Sequence, residues 1–296
     1  MAGRRSSRKR RDALVFLALA LPNLILISVF TYRPLIANMQ YSMLDWTLGS
    51  PSARWLGMGN YVEFFGGPDA TRVLGTTLIF TVATVGGAMI LGLAIALVLN
   101  RKLRGTTFAR SVVFAPFVLS GVGVGLVWLF IFDPVYGALA WILRTFGIPS
   151  PEWVNDPNLA LTMVIIVYVW KNLGYCAVVY LAGLQSLNND VLEAASLDGA
   201  SSWKIFWTMK LPLLSPTTFF LLITSMLSSL QAFDLIRIMT PLGTGTSTLV
   251  YEAYLQAFGA YNRAGYSAAI STVLFVILLS VTMLQLRFVE RRVHYS

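Results

Sequence analysis

Residues 193–216 read Glu193-Ala194-Ala195-Ser196-Leu197-Asp198-Gly199-Ala200-Ser201-Ser202-Trp203-Lys204-Ile205-Phe206-Trp207-Thr208-Met209-Lys210-Leu211-Pro212-Leu213-Leu214-Ser215-Pro216, a polar island between two apolar stretches of membrane length. Local rules fold this island as helix, tight turn, helix. Asn188 or Asn189 supplies a side-chain acceptor for the unpaired N–H groups at a helix start. The helix over 190–198 then meets Gly199, which enters the left-handed backbone region without a Cβ penalty and so ends helices. Ser201 or Ser202 caps a second helix reaching Lys210, and Pro212 suits the first turn of the next span, where its missing N–H costs nothing. Val191, Leu192, Ala195, Ile205, Phe206 and Met209 offer apolar surface and Glu193 and Asp198 offer charge, while Ala194 and Ala195 keep that surface thin enough for a close partner. The plainer reading of 182–212 is an amphipathic helix lying in the lipid interface.

Outward from this island the chain is too apolar for water. Apolar residues make up 56% and charged residues 12%, against about 45–50% and about 25% in soluble domains. The surplus must face lipid. Stretches of about 20 apolar residues fall at roughly 13–32, 73–99, 110–132, 159–181, 213–235 and 267–288, and backbone in lipid must satisfy its own hydrogen bonds, so six transmembrane helices are expected. The first run is longer than a signal-peptide core and lacks a small-residue cleavage site, which makes it a retained span. Pro22 and Pro116 should bend the first and third spans; Gly86, Gly87 and Gly92 in the second, and Gly121, Gly123 and Gly125 in the third, should permit close helix approach. The expected organisation is a basic cytoplasmic tail (1–12), a transmembrane domain (13–290) containing the loop 188–212, and a short tail (291–296). The single cysteine, Cys176, lies in an apolar segment and excludes an intrachain disulfide or a Cys-based metal cluster.

The net charge of +9 is distributed by topology rather than gathered for nucleic acid. With the N-terminus in the cytoplasm, fifteen cations fall inside (Arg4, Arg5, Arg8, Lys9, Arg10, Arg11, Arg101, Lys102, Arg104, Arg110, Lys204, Lys210, Arg287, Arg291 and Arg292). Six fall outside (Arg33, Arg54, Arg72, Arg144, Arg237 and Arg263), and Lys171 lies within a span. The positive-inside bias therefore puts both termini and the 182–212 loop in the cytoplasm, with the basic N-terminal run acting as an anchor attracted to anionic lipid.

The pattern Glu193-Ala194-Ala195, three residues, Gly199, nine residues, Met209-Lys210-Leu211-Pro212 resembles the cytoplasmic signature of permease subunits of ABC importers. Trp55-Leu56-Gly57-Met58-Gly59-Asn60-Tyr61 resembles the G-x-x-N-Y/F element in the outer segment of sugar-type permeases, and Val169-Trp170-Lys171, Leu184-Gln185-Ser186 and Gln285-Leu286-Arg287-Phe288-Val289-Glu290 recur there. Within that group the chain most resembles the first permease subunit of glycerol-3-phosphate or glycerophosphodiester importers; maltose- and trehalose-type permeases, carrying neutral sugars, share the same framework. The resemblance implies an all-α fold of the type I importer class with a coupling loop, in the inner or plasma membrane of a prokaryote. Glu193, Ala194, Ala195, Asp198, Gly199, Ala200, Met209, Leu211 and Pro212 would couple to the ATPase. The implied partners are a second permease, two ATPase subunits that use ATP and Mg, and an extracytoplasmic substrate-binding protein. Isoleucine usually stands where this chain has Met209, a swap of similar volume that packing tolerates.

Ionisable residues inside a membrane are expensive and by default functional candidates. Lys171 lies mid-span, with Asp234 and Arg237 at the outer end of the fifth span, and Trp170, Asn172, Tyr175, Gln231 and Phe233 beside them complete a candidate substrate path suited to a polyol. A phosphate would favour the cations Lys171 and Arg237; the alternative role for Lys171 is to satisfy a carboxylate or helix carbonyls between spans. A polytopic membrane enzyme would need acid/base or metal groups facing one leaflet, yet the single histidine, His294, is in the tail and no intramembrane carboxylate cluster appears. No lysine is followed by Ser or Thr, so the Gly-Lys-Ser/Thr ending of a phosphate-cradling loop is absent and the chain cannot supply its own ATPase. An ion-coupled carrier or channel would show inverted repeats or charged pore rings, and neither is visible. No cofactor or metal is expected on this chain.

Overall fold

A computed structural model of the protein describes residues 2–101, 105–259 and 261–289, with side chains from Val15 onward except those of Asn189, Leu286, Phe288 and Val289. The basic side chains of the 1–12 tail, Lys102, Arg104, Glu290 and the 291–296 tail with His294 lie outside the described residues. Helices dominate: α1 (Ala2–Ile27), α2 (Arg33–Tyr41), α3 (Gly59–Gly66), α4 (Pro68–Leu99), α5 (Thr106–Val118), α6 (Gly121–Phe132), α7 (Ala138–Thr145), α8 (Pro157–Gln185), α9 (Asn189–Leu197), α10 (Ser202–Ile205), α11 (Leu211–Leu213), α12 (Ser215–Leu230), α13 (Asp234–Met239), α14 (Leu249–Phe258) and α15 (Ala264–Val289). Two residues each of β1 (Leu44–Asp45) and β2 (Arg54–Trp55) pair antiparallel. Among the described residues, five helical stretches are long and apolar enough to cross a membrane: Val15–Tyr41, Pro68–Leu99, Pro157–Gln185, Ser215–Met239 and Ala264–Gln285.

The third expected span, 110–132, is not one helix. It is broken into α5 and α6, bent by 98°. Pro116 sits inside α5 rather than at the bend; the helix stops at Leu119 and Ser120, both extended, and resumes at Gly121. The first span also departs from expectation. Its helix runs past Tyr32 to Tyr41 through a π-turn at Ser28–Tyr32, so Arg33 is helical and not in a loop. That turn has a local cause. Pro34 has no N–H for the carbonyl of Phe30 and its ring crowds it, and the backbone widens so that the Arg33 N–H reaches the Ser28 carbonyl instead.

The chain divides into two compact units. The first comprises Met1–Gly66 and Ala253–Val273. Its organiser is Asn60, 3% exposed, whose side-chain amide donates to the carbonyls of Ser42 and Leu44 at 2.9 Å each, while the Tyr61 and Ser42 hydroxyls bond at 2.7 Å. The Asn-Tyr pair of the outer-segment element thus fixes the chain where it enters β1. Gly265 lets the backbone meet the carbonyl of Leu44, where any Cβ would collide. Arg263 pairs with Glu63 at 2.6 Å and stacks 4.2 Å over the Tyr266 ring, and that hydrogen bond raises the guanidinium pKa still further.

The second unit comprises Gly67–Glu252 and Leu274–Ser296. Its spine is α4 packed along α8, with α5 and α12 alongside. Small residues allow the approach: a Cβ on Gly92 would sit 2.5 Å from Cys176 Cβ, one on Gly87 3.0 Å from Val169, and one on Gly174 inside the Val113 carbonyl. Gly125 meets Ile238 and Gly121 meets Asp234 in the same way, whereas Gly86 and Gly123 face open space, so the expected packing role holds for only part of the glycine set.

Candidate functional site

In the 188–212 loop the local rules produce the expected helix–turn–helix. The Asn188 side chain accepts from the Asp190 N–H at 2.9 Å and starts α9. α9 ends in paired bonds, Gly199 N–H to the Ser196 carbonyl and Ala200 N–H to the Ala195 carbonyl, each 3.1 Å. This is the Schellman arrangement, which satisfies carbonyls left over at a helix end and requires a left-handed residue at the glycine position; Gly199 has φ +83° with open space around it. The Glu-Ala-Ala-x-x-x-Gly spacing is thereby explained, because Ala195 and Gly199 belong to one hydrogen-bonded cap. Ser201 caps α10 through the Lys204 N–H at 3.3 Å.

The second helix of the loop does not run unbroken to Lys210. A π-turn occupies Phe206–Lys210, with Met209 half-buried in it, and the Leu211 N–H bonds to the Phe206 carbonyl. The cause is the one acting before Pro34: Pro212 cannot donate to the carbonyl of Thr208. Pro212 lies with Leu211 in α11, and it is Pro216 that occupies the first turn of α12, the span. Glu193, Ala194 and Asp198 are exposed, and Ala195 and Ala200 are half-buried. Leu197 is 89% exposed and Trp203 71%. Exposed apolar side chains of this size mark a surface that meets a partner or a lipid interface.

The eight residues proposed as a substrate path are only partly brought together. Lys171, Asn172, Gln231, Phe233 and Asp234 line one cavity of about 240 Å³, with Gly121, Tyr168 and Ser228. Tyr175 lines a neighbouring cavity of about 180 Å³, also reached by Asn172, Tyr168 and Ser228 and walled by Thr84, Thr224, Ser225 and Phe117. Trp170 is in neither lining and packs edge-on against Trp128 at 5.3 Å. Arg237 is also outside both, its guanidinium 5.8 Å over the Phe233 ring.

Lys171 donates to the carbonyl of Phe117 at 2.9 Å, with the ammonium 5.6 Å over that residue's ring. Phe117 is in the last turn of α5, where the break at Leu119–Ser120 leaves carbonyls without intrahelical partners. A cation at a helix C-terminus also opposes the helix dipole. The ammonium therefore closes the broken helix, the second of its two expected roles.

Sequence reasoning named Tyr175 but missed the other hydroxyl groups. The Tyr168 hydroxyl donates to the Ser228 carbonyl at 2.9 Å, Thr84 and Ser229 share a bond at 2.8 Å, and the Tyr175 hydroxyl donates to Thr224 at 3.4 Å. The available signal was a polar stripe at helical spacing, Tyr168-Asn172-Tyr175 on α8 against Thr224-Ser225-Ser228 on α12. A cavity so walled offers hydrogen bonds and ring faces, the chemistry that suits a polyhydroxyl solute.

Over residues 88–295 the chain matches the family described as binding-protein-dependent transport system inner membrane component. The chain belongs to that family. Among its relatives is a protein of Agrobacterium fabrum named sn-glycerol-3-phosphate transport system permease protein UgpA, 36% identical over 281 residues that cover 94% of this chain and 95% of the relative. A Brucella abortus protein of the same name is 34% identical, covering 93% and 94%, and a Pyrococcus horikoshii protein named as a probable ABC transporter permease is 33% identical, covering 93% and 96%. A bacterial ABC transporter involved in import of the acidic polysaccharide alginate contains a chain that superposes with a TM-score of 0.80 at 23% identity, covering 96% of this chain and 99% of that one, which shows the fold. This permease is a non-catalytic, mostly helical membrane subunit of an ABC importer.

Proposed function

We propose that this permease forms, with a second permease subunit, the path by which glycerol-3-phosphate or a glycerophosphodiester crosses the inner membrane, driven by two ATPase subunits and supplied by an extracytoplasmic binding protein. The substrate reading is supported by the relatives named for glycerol-3-phosphate transport, which align along nearly the whole chain. In this reading α5 and α6 form one broken span, the third of six, and the bias of cations supports a cytoplasmic position for both termini and the 188–212 loop. A neutral di- or oligosaccharide is the alternative cargo.

The observation that carries the coupling reading is the Schellman cap at Ala195–Ala200: it fixes an exposed helix bearing Glu193 and Asp198, then turns the chain back toward a span. ATP binding closes the ATPase dimer, the docked loop moves with it, and the spans switch the side to which they open. Coupling is then a free-energy linkage through a rigid element. The substrate path comprises the two cavities, with Asn172, Tyr175, Gln231 and Phe233 as contacts. Lys171 and Asp234 set the local field there, and Trp170 and Arg237 support the walls.

The test is reconstitution in proteoliposomes with the two ATPase subunits, the second permease and the binding protein. Solute-stimulated ATP hydrolysis and uptake of glycerol-3-phosphate should require all components. ATP hydrolysis by this chain alone, or uptake without the ATPase, would overturn the reading.

A further inference from the structure

The smaller of the two path cavities, of about 180 Å³, is polar yet lined by no carboxylate, ammonium or guanidinium among the described residues. Its hydrogen-bonding character is one-sided. The Thr84 hydroxyl donates to the Phe80 carbonyl at 2.7 Å, the Tyr168 hydroxyl to the Ser228 carbonyl at 2.9 Å and the Thr224 hydroxyl to the Phe220 carbonyl at 3.0 Å. The Tyr175 hydroxyl donates to the Thr224 oxygen at 3.4 Å. A hydroxyl carries one proton, so these four side chains have none left for a solute. Asn172 extends the pattern. Its amide donates to the Tyr168 carbonyl at 2.8 Å, which fixes the orientation of the amide, and its side-chain oxygen takes no donor among the described residues. The donors that remain are few and neutral: the second amide proton of Asn172, the Ser228 hydroxyl, and Ser225, whose one partner is the Cys176 sulfur at 3.9 Å.

Oxygen lone pairs attract hydroxyl donors and repel the oxygens of an ionised phosphate, which can only accept and are best matched by cationic donors. A phosphate in this cavity would exchange its water for a few neutral donors, with no cation in the lining. We propose, on the cargo reading given above, that this cavity is a diol subsite. It takes the free glycerol end of a glycerol phosphate ester, with the oxygens of Asn172 and Tyr175 accepting from the two hydroxyls. The phosphate stays outside, toward the larger cavity, whose lining shares Tyr168, Asn172 and Ser228 with this one. The Phe117 and Tyr175 rings, stacked at 4.9 Å, give the carbon chain an apolar wall. A subsite that reads the diol is blind to what the phosphate carries on its far side, so glycerol-3-phosphate and its diesters are read alike.

The experiment is saturation-transfer NMR on the assembled transporter in nanodiscs, without the binding protein and with the signal of empty nanodiscs subtracted. In sn-glycerol-3-phosphate the protons on the two hydroxyl-bearing carbons should receive more saturation than those on the carbon next to the phosphate. Free glycerol should be saturated too, and inorganic phosphate should not displace it. Asn172→Leu and Tyr175→Phe should each lower the glycerol signal about twofold to tenfold, the loss of one neutral hydrogen bond. Should Asn172→Leu fail to assemble with the ATPase, Tyr175→Phe, which keeps its ring beside Phe117, decides. The subsite is overturned by even saturation along the solute, by saturation strongest next to the phosphate, by displacement of glycerol by phosphate, by a glycerol signal no larger than that of empty nanodiscs, or by an unchanged signal in Tyr175→Phe. Proteoliposome uptake tests the cargo separately. Uptake of glycerol-3-phosphate with even saturation keeps the cargo and removes the subsite. Uptake of a neutral disaccharide in place of glycerol-3-phosphate, with the uneven pattern intact, removes the cargo and keeps a subsite for hydroxyl donors.

Discussion

The 188–212 loop and the cavities between α8 and α12 are both polar breaks in an apolar chain, and they are held in opposite ways. The hydrogen bonds that shape the loop close locally: Asn188 to Asp190, Gly199 to Ser196, Ala200 to Ala195, Ser201 to Lys204. Those that shape the cavities span the sequence, from Thr84 to Ser229, Tyr168 to Ser228 and Lys171 to Phe117. Local closure builds an element that holds its own shape while its apolar and charged faces stay uncovered. Long-range closure builds walls whose groups are already paired with one another. The first suits transient docking by a rigid partner, the second a passage that must not bind its cargo too tightly.

The sharpest way to break this contrast is Gly199→Val. A β-branched residue at φ +83° is strained wherever it sits, and a non-glycine residue in the left-handed region costs about 1–3 kcal/mol. The cap should fail, and the ATPase-bound complex and solute uptake should fall together, by tenfold or more, while membrane insertion persists. Gly199→Asn, a residue that tolerates this backbone, should retain most uptake. If Gly199→Val transports normally, the loop is an interfacial helix and not a coupling element.

Glu193→Ala comes next. It leaves the cap intact and removes one charge, so it separates shape from contact within the loop. Truncating one partner of a charge pair buried at an interface costs about 2–5 kcal/mol, but Glu193 has water as an alternative in the free chain. We therefore expect a loss of ATPase docking smaller than for Gly199→Val, read as a higher ATPase concentration for half-maximal complex recovery. Unchanged docking would place the contact on another side chain.

On the cavity side, Lys171→Met leaves the Phe117 carbonyl without its donor, at about 1–3 kcal/mol. The variant should lower the thermal stability of the complex and leave the order of preferred solutes unchanged. A stable variant with altered preference would make Lys171 a solute ligand instead. Tyr168→Phe, losing one hydroxyl bond to the Ser228 carbonyl, should have the smallest effect, about 0.5–1.5 kcal/mol of stability, seen as a small decrease in melting temperature with uptake near wild type.

The same contrast explains what could be read in advance. The loop was legible almost residue by residue, because Asn188, Gly199 and Ser201 act on neighbours within reach of any local rule. The long helices were legible from apolar length alone. The break at Leu119–Ser120 was not: Phe117-Val118-Leu119-Ser120-Gly121-Val122 is apolar throughout apart from one serine, and the group that makes ending a helix there tolerable is Lys171, more than fifty residues away. The π-turns escaped for a different reason. Pro212 and Pro34, which cause them, act not on their own turn but on carbonyls four residues upstream, Thr208 and Phe30. Gly86 and Gly123 show the limit of composition: they are as small as Gly92 and Gly125, yet face no neighbour.

The tie between Lys171 and Phe117 also has an electrical consequence. An ammonium within a span is one elementary charge in a poorly conducting slab, and carrying it fully across a membrane held at 100 mV is worth about 2.3 kcal/mol. Anchored to the end of α5, it travels only as far as that helix does; a shift through a tenth of the slab is worth about 0.2 kcal/mol. Asp234 lines the same cavity, so a movement shared by the two carries no net charge. The protein's own charges thus leave its conformational change nearly independent of membrane potential, and any dependence of uptake on that potential reports the charge of the solute.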